Sequence, residues 1–150
     1  MKTVDINYIS NYISYNFRDM ENVHYYFDLT EFEIISIDEL KSKYGFIDDM
    51  FSDKITLQYV YNIVPLATID LDSEKRNYLH SLNNRKIDRE IKSLDNNEFY
   101  IYFQKLWDTE RAFLLRKWDE YEKQCCIKLA VEWCENYNIP YTKGDVYEHN

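Results

Sequence analysis

Residues that give a backbone unusual freedom or stiffness are scarce in this chain: two glycines, Gly45 and Gly144, and two prolines, Pro65 and Pro140, among 150 residues. A phosphate-cradling loop needs closely spaced glycines so that the backbone can approach the anion, and no such spacing exists here. Fibrous and low-complexity chains are excluded by the same scarcity. The three cysteines, Cys125, Cys126 and Cys134, are odd in number and confined to one segment, which is not a disulfide framework. No apolar run approaches the ~18 residues that cross a bilayer. The opening stretch Met1–Phe17 is interrupted by Asp5 and lacks the continuous apolar core of a secretory signal. The expectation is a cytoplasmic protein without a membrane segment.

Acids and aromatics are what the chain has in excess. There are 27 acidic against 18 basic side chains, a net charge of −9, together with 15 tyrosines, 8 phenylalanines and 3 tryptophans. The acidity is uneven: residues 1–72 hold 13 acids and 5 bases, a balance of −8, whereas residues 73–150 hold 14 acids and 13 bases, a balance of −1. Such a field repels nucleic-acid backbones and anionic lipid surfaces, so direct nucleic-acid binding is not expected. It suits either simple solubility or a basic partner. The aromatics have two readings: a coding bias that fills core and surface alike, or an adhesive surface in which tyrosine offers an apolar body and a polar tip. The length fits one domain with a real core.

Hydrophobic spacing gives the element order. Ile6, Ile9, Tyr12, Ile13 and Phe17 recur in steps of three and four, predicting a helix within residues 3–20 that Asp5 caps. The runs from His24 to Leu29 and from Glu33 to Ile37 read as a hairpin, although its turn, Thr30-Glu31-Phe32, lacks glycine. Asp38 is the expected cap of a short helix ending at Gly45, followed by an acidic loop to Asp53. The β-branched and aromatic run Ile55–Val64 predicts a third strand. From Asp72 onward the pattern is helical, with breaks at Asn83-Asn84 and Asp95-Asn96-Asn97. A final helix is expected over residues 110–137, its inner stripe being Leu114, Trp118, Tyr121, Cys125, Leu129, Trp133 and Tyr137. Asn138 and Pro140 stop it.

Candidate chemistry is thin. Adjacent Cys125 and Cys126 diverge by about 100° on a helix, and Cys134 lies roughly 12 Å further along the axis, so the three do not form a zinc site. They read as small hydrophobes. His24 and His80 stand without a neighbouring nucleophile motif. Asp28, Glu31 and Glu33 at the hairpin, and Asp48, Asp49 and Asp53 after it, lack the spacing of a calcium loop and read as a solvated acidic face. Lys75, Arg76, Arg85, Lys86, Arg89 and Lys92 form one basic cluster, expected to pair with the acidic first half within the fold or across a dimer.

Three stretches resemble a known family. Tyr25-Tyr26-Phe27-Asp28-Leu29-Thr30 with Glu33-Ile34-Ile35 is similar to its hairpin, and Ile63-Val64-Pro65-Leu66 to its next strand. Phe99, Phe103 and Trp118, followed by Ala130, Trp133, Cys134, Glu135, Asn136 and Ile139, are similar to its closing helix. The family is Uncharacterised Protein Family 0158, small acidic bacterial proteins, and the resemblance covers residues 4–141. The chain departs from it at the hairpin turn, where Glu31-Phe32 replaces a glycine, and before Phe99, where a glycine-alanine pair is missing. The resemblance implies no catalytic residues.

The expectation is therefore one α+β domain over residues 1–150, with a frayed tail at 142–150. A small antiparallel sheet of about three strands in the first half packs on a helical second half ending in one long helix. No cofactor and no metal are expected. The leading function is a non-enzymatic interaction module for a protein partner or a second copy of itself. Its surface is drawn from Tyr25, Asp28, Glu33, Tyr59, Tyr61, Trp107 and Trp118. The alternatives are an acidic neutralising protein (an immunity factor, antitoxin or nucleic-acid mimic) and an enzyme built around His24 or His80.

Overall fold

The computed structural model describes residues 2–16 and 22–143. Phe17, within the expected first helix, and the tail from Gly144 lie outside the described residues. The chain begins with β1 (Val4–Asp5), α1 (Ile6–Ser10) and β2 (Ser14–Tyr15). The helix expected within 3–20 is thus a five-residue helix between two short strands, and Asp5 does cap it by accepting from Asn7 N–H at 2.8 Å.

The hairpin forms as expected, from β3 (Tyr25–Asp28) and β4 (Glu33–Ser36), antiparallel with Tyr26 opposite Ile35. Its turn is organised without glycine. Asp28 is buried, and its Oδ1 accepts the backbone N–H groups of Thr30 at 2.9 Å and Glu31 at 3.0 Å. Phe32 takes the left-handed conformation, φ 59°, which glycine usually fills. Its ring packs edge-to-face on Phe27 at 5.2 Å, which offsets the backbone cost.

Next come α2 (Ile37–Tyr44), a 3-10 turn (Asp48–Ser52) and α3 (Lys54–Tyr61). Ser36, not Asp38, caps α2, accepting from Glu39 N–H at 3.1 Å, and Gly45 closes it at φ 67°. The expected strand at 55–64 is instead α3 followed by β5 (Ile63–Pro65). The local caps decide against extended chain: Asp53 accepts from Thr56 N–H at 3.1 Å, and Asn62 ends the helix in the left-handed region at φ 61°. Those caps supply partners for orphan backbone groups, and strand preference yields where packing differs. β5 still joins the sheet, giving the order β4-β3-β5, antiparallel throughout.

The second half is helical: β6 (Thr68–Ile69), α4 (Leu71–Ser81), α5 (Arg85–Ile91), α6 (Asn96–Leu106), a second 3-10 turn (Glu110–Leu115), α7 (Trp118–Asn136) and β7 (Tyr141–Thr142). Asn84 and Asp95 cap α5 and α6, the latter through a reciprocal capping box with Glu98. The long helix starts eight residues later than Glu110, at Trp118. The carbonyl of Leu114, which a continuous helix would give to residue 118, accepts the Tyr78 hydroxyl instead. At the other end Tyr141–Thr142 is not frayed but pairs in parallel with Val4–Asp5.

Three apolar clusters follow from this order. Phe27 and Val64, on one face of the sheet, pack with α1 and with Ile127, Ala130, Trp133 and Cys134 of α7. Tyr26, Ile35 and Ile63, on the other face, pack with Leu40 of α2 and Leu57 of α3. Tyr78, Phe99, Phe103, Leu115 and Trp118 form the third, among α4 to α7. The sheet is therefore covered on both faces, and α3 belongs to its outer layer.

Polar contacts hold the helical part. Arg76 donates to the carbonyls of Ile91 at 3.3 Å and Leu94 at 2.8 Å and lies 4.3 Å from the Phe99 ring centre. Lys75 is buried, its ammonium 4.8 Å from the Phe103 ring centre. These two bases serve the second half itself rather than the acidic first half. Glu90 accepts from Tyr102 at 2.7 Å and from Arg111 at 3.1 Å.

Two outcomes are expected. Asp28→Ala removes the acceptor for two N–H groups at a buried turn and should cost about 1–3 kcal/mol by thermal or denaturant unfolding; an unchanged midpoint would show that the turn closes without it. The Tyr102 hydroxyl, with the Arg111 guanidinium, holds the Glu90 carboxyl below its ordinary value of 4.5. A folded pKa below the unfolded one stabilises at higher pH, and that stabilisation is lost as pH falls through the folded value. Unfolding followed below pH 4.5 should therefore steepen in the parent and be shallower in Glu90→Gln; parallel curves would contradict the pairing.

Candidate interaction surface

The one helix face with large apolar side chains turned to solvent is on α3. Leu57 is fully buried and anchors the helix on Ile63 and Phe46 beneath it. At about 100° per residue, Ile55, Tyr59 and Val60 fall in one arc away from Leu57. They are 72%, 78% and 69% exposed. A surface helix ordinarily turns polar side chains outward, so three exposed apolar ones on one arc are unusual. Ile47, exposed, precedes the adjoining 3-10 turn.

Acids rim this face. Asp49 is exposed beside it, and Asp53 stands at the helix start. Side-chain and backbone hydrogen bonds from Thr56 hold the Asp53 carboxyl below the usual range. Lys41, 2.8 Å away, does the same for Asp48. All three are negative at neutral pH. Tyr61 is half turned inward, edge-on to Phe46 at 4.8 Å, and Tyr44 stacks on the same ring at 5.4 Å.

The other expected surface residues are not brought together with this face as one patch. Tyr25 is half-buried and packs edge-on against Tyr12 at 5.0 Å. Tyr12 in turn meets Tyr8 at 5.3 Å. Glu33 is exposed at the β4 end, and with Glu39 it adds to the burial and Tyr12 field that raise the Tyr8 hydroxyl pKa. Asp28 is a turn acceptor, not a rim acid. Trp107 is exposed at the end of α6, while Trp118 is only 5% exposed. Trp118 is corrected from surface to core: its ring lies 5.7 Å from Phe103 and 5.6 Å from Tyr78.

Ile55 and Val60 were missed because a strand reading sends alternate residues to opposite faces and puts Ile55, Leu57, Tyr59 and Tyr61 on one side. The capping pair Asp53 and Thr56, and the asparagine before Ile63, were the available helix signals.

Groups suited to bond-making do not converge among the described residues. His24 is exposed. The His80 side chain is 81% exposed, with Nδ1 3.6 Å from Asp88 Oδ1. Burial, reinforced by the Cys125 Sγ–H donating to Glu74 at 2.9 Å, pushes the Cys125 thiol up to about 12. Burial likewise takes Cys126 and Cys134 to about 11. Thiols so shifted are protonated and poorly nucleophilic. No group of three or more histidine, cysteine or acidic side chains among the described residues is arranged to hold a metal ion. A cavity of about 350 Å³ is lined by Tyr15, Glu122 and Cys126, where burial and Glu122 raise the Tyr15 hydroxyl to about 12. A second, of about 220 Å³, lies between Leu66 and Trp133. Neither is lined by histidine. No helix among the described residues is long and apolar enough to cross a membrane. No family model, curated protein or solved structure compared with the chain matches it.

Proposed function

We propose that this protein is a non-enzymatic interaction module whose adhesive surface is the outer face of α3. The observation that carries the reading is the exposure of Ile55, Tyr59 and Val60 on one helix arc while Leu57 holds the opposite side in the core. Exposed apolar side chains of this size gain free energy only when something covers them. Tyrosine is well suited to such contacts, giving a large ring at low entropic cost and a hydroxyl that remains wet. The resemblance to Uncharacterised Protein Family 0158 stays a proposal and adds no residue to this surface.

The double variant Ile55→Ser, Tyr59→Ser tests the reading. Association, measured by native mass spectrometry and by co-purification from the native cell, should be abolished while the melting temperature stays near that of the parent. Retained association with a normal melting temperature would overturn the assignment. A collapse in melting temperature would show that these side chains are core.

A further inference from the structure

Resting on that interaction reading, we infer that the outer face of α3 receives a basic amphipathic segment of another protein, with apolar side chains over Ile55, Tyr59 and Val60 and lysines or arginines over Asp49 and Asp53. The argument begins with size. α3 has eight residues and is about 12 Å long at 1.5 Å per residue, so its face is far smaller than the ~800 Å² per partner of a stable protein interface. Apolar contact alone over so small a patch leaves little net affinity after the cost of association. Charge must supply steering and register.

The charge around the face has one sign. Residues 46–62 carry Asp48, Asp49 and Asp53 against Lys54, a balance of −2, within a first half of balance −8. The basic cluster does not cancel it from inside the fold, because Lys75 and Arg76 are committed to the α5–α6 connection and the Phe103 ring. Asp49 has no side-chain cap to serve, and Asp53 keeps its negative charge while capping α3. A second copy of this chain is a poor occupant for the same reason. A two-fold contact would set the acids of one α3 beside those of the other, and like charges brought together oppose association. A partner that alternates apolar and basic side chains meets both features at once.

Three synthetic 18-residue peptides of defined composition serve as probes: leucine and lysine on opposite helical faces, leucine and glutamate in the same places, and lysine with serine replacing leucine. Binding is read by fluorescence anisotropy. The leucine–lysine peptide should bind, and its affinity should fall about tenfold or more between 50 and 300 mM salt. The other two should bind at least about tenfold more weakly, since each lacks one of the two complementary features. Asp49→Lys and Ile55→Ser, Tyr59→Ser should each weaken the leucine–lysine peptide by a similar factor. Equal binding of the serine peptide would reduce the site to diffuse charge and overturn the inference. Salt-insensitive binding, or no effect of Asp49→Lys, would overturn it as well. So would a dimer of the protein alone that Tyr59→Ser dissociates. If the α3 variants abolish natural association but the leucine–lysine peptide fails to bind, the partner chemistry is wrong and the interaction surface stands. If natural association survives those variants, the surface itself is wrong.

Discussion

The indole N–H of Trp133 donates to the Pro65 carbonyl at 2.7 Å, and its ring lies edge-on to Phe27 at 5.5 Å. That pair of contacts fastens the longest helix to the sheet. Pro65 ends β5, the strand paired to β3, and Phe27 sits at the centre of β3. A buried N–H without its acceptor is costly, so the helix and the edge strand are bound to one relative position. Nearby, Ala130 and Cys134 are fully buried, small enough to let the helix approach closely.

The same helix also enters the other large core. Trp118 at its start packs among Tyr78, Phe103 and Tyr121, nearly four turns away from Trp133. One rigid element therefore links the sheet to the α4–α6 helices. With α1 and α7 occupying one face of the sheet, the other face is left to α2 and α3, two helices of eight residues each. Helices that short bury one or two side chains apiece, here Leu40 and Leu57, and the rest of their surface is free for other use. The exposed arc of α3 is thus a consequence of the layer order.

Much of this was legible from residue pattern. The hairpin, the αL glycine after α2, the asparagine breaks and the helical second half follow from spacing and capping chemistry that act within a few residues. The α+β class follows from them. Two failures have long-range causes. Ile55–Val64 has strand-like composition, but whether it extends depends on neighbours: one strand's worth, Ile63–Pro65, finds a pairing edge on β3, and the preceding eight residues find a cap at each end. Trp118 was assigned to both the helix stripe and the surface. Only the Tyr78 hydroxyl, 36 residues away on the Leu114 carbonyl, explains why the helix restarts at Trp118 with its ring inward. The surface residues were the least legible, since aromatic composition does not separate Tyr59 from Trp118. Burial by a distant element does.

An acidic, aromatic chain of this kind puts most of its rings into shape and leaves a few for contact. Its cysteines are buried and protonated, its charged clusters brace helices, and its exposed apolar arc lies on the layer furthest from the spine. Hydroxyl-radical footprinting of the purified chain tests this division most directly. Tyr59 should rank among the fastest-oxidised side chains, with Trp118 and Trp133 strongly protected. A protected Tyr59 alongside a rapidly oxidised Trp118 would contradict both the fold's division of its aromatics and the surface assigned from it.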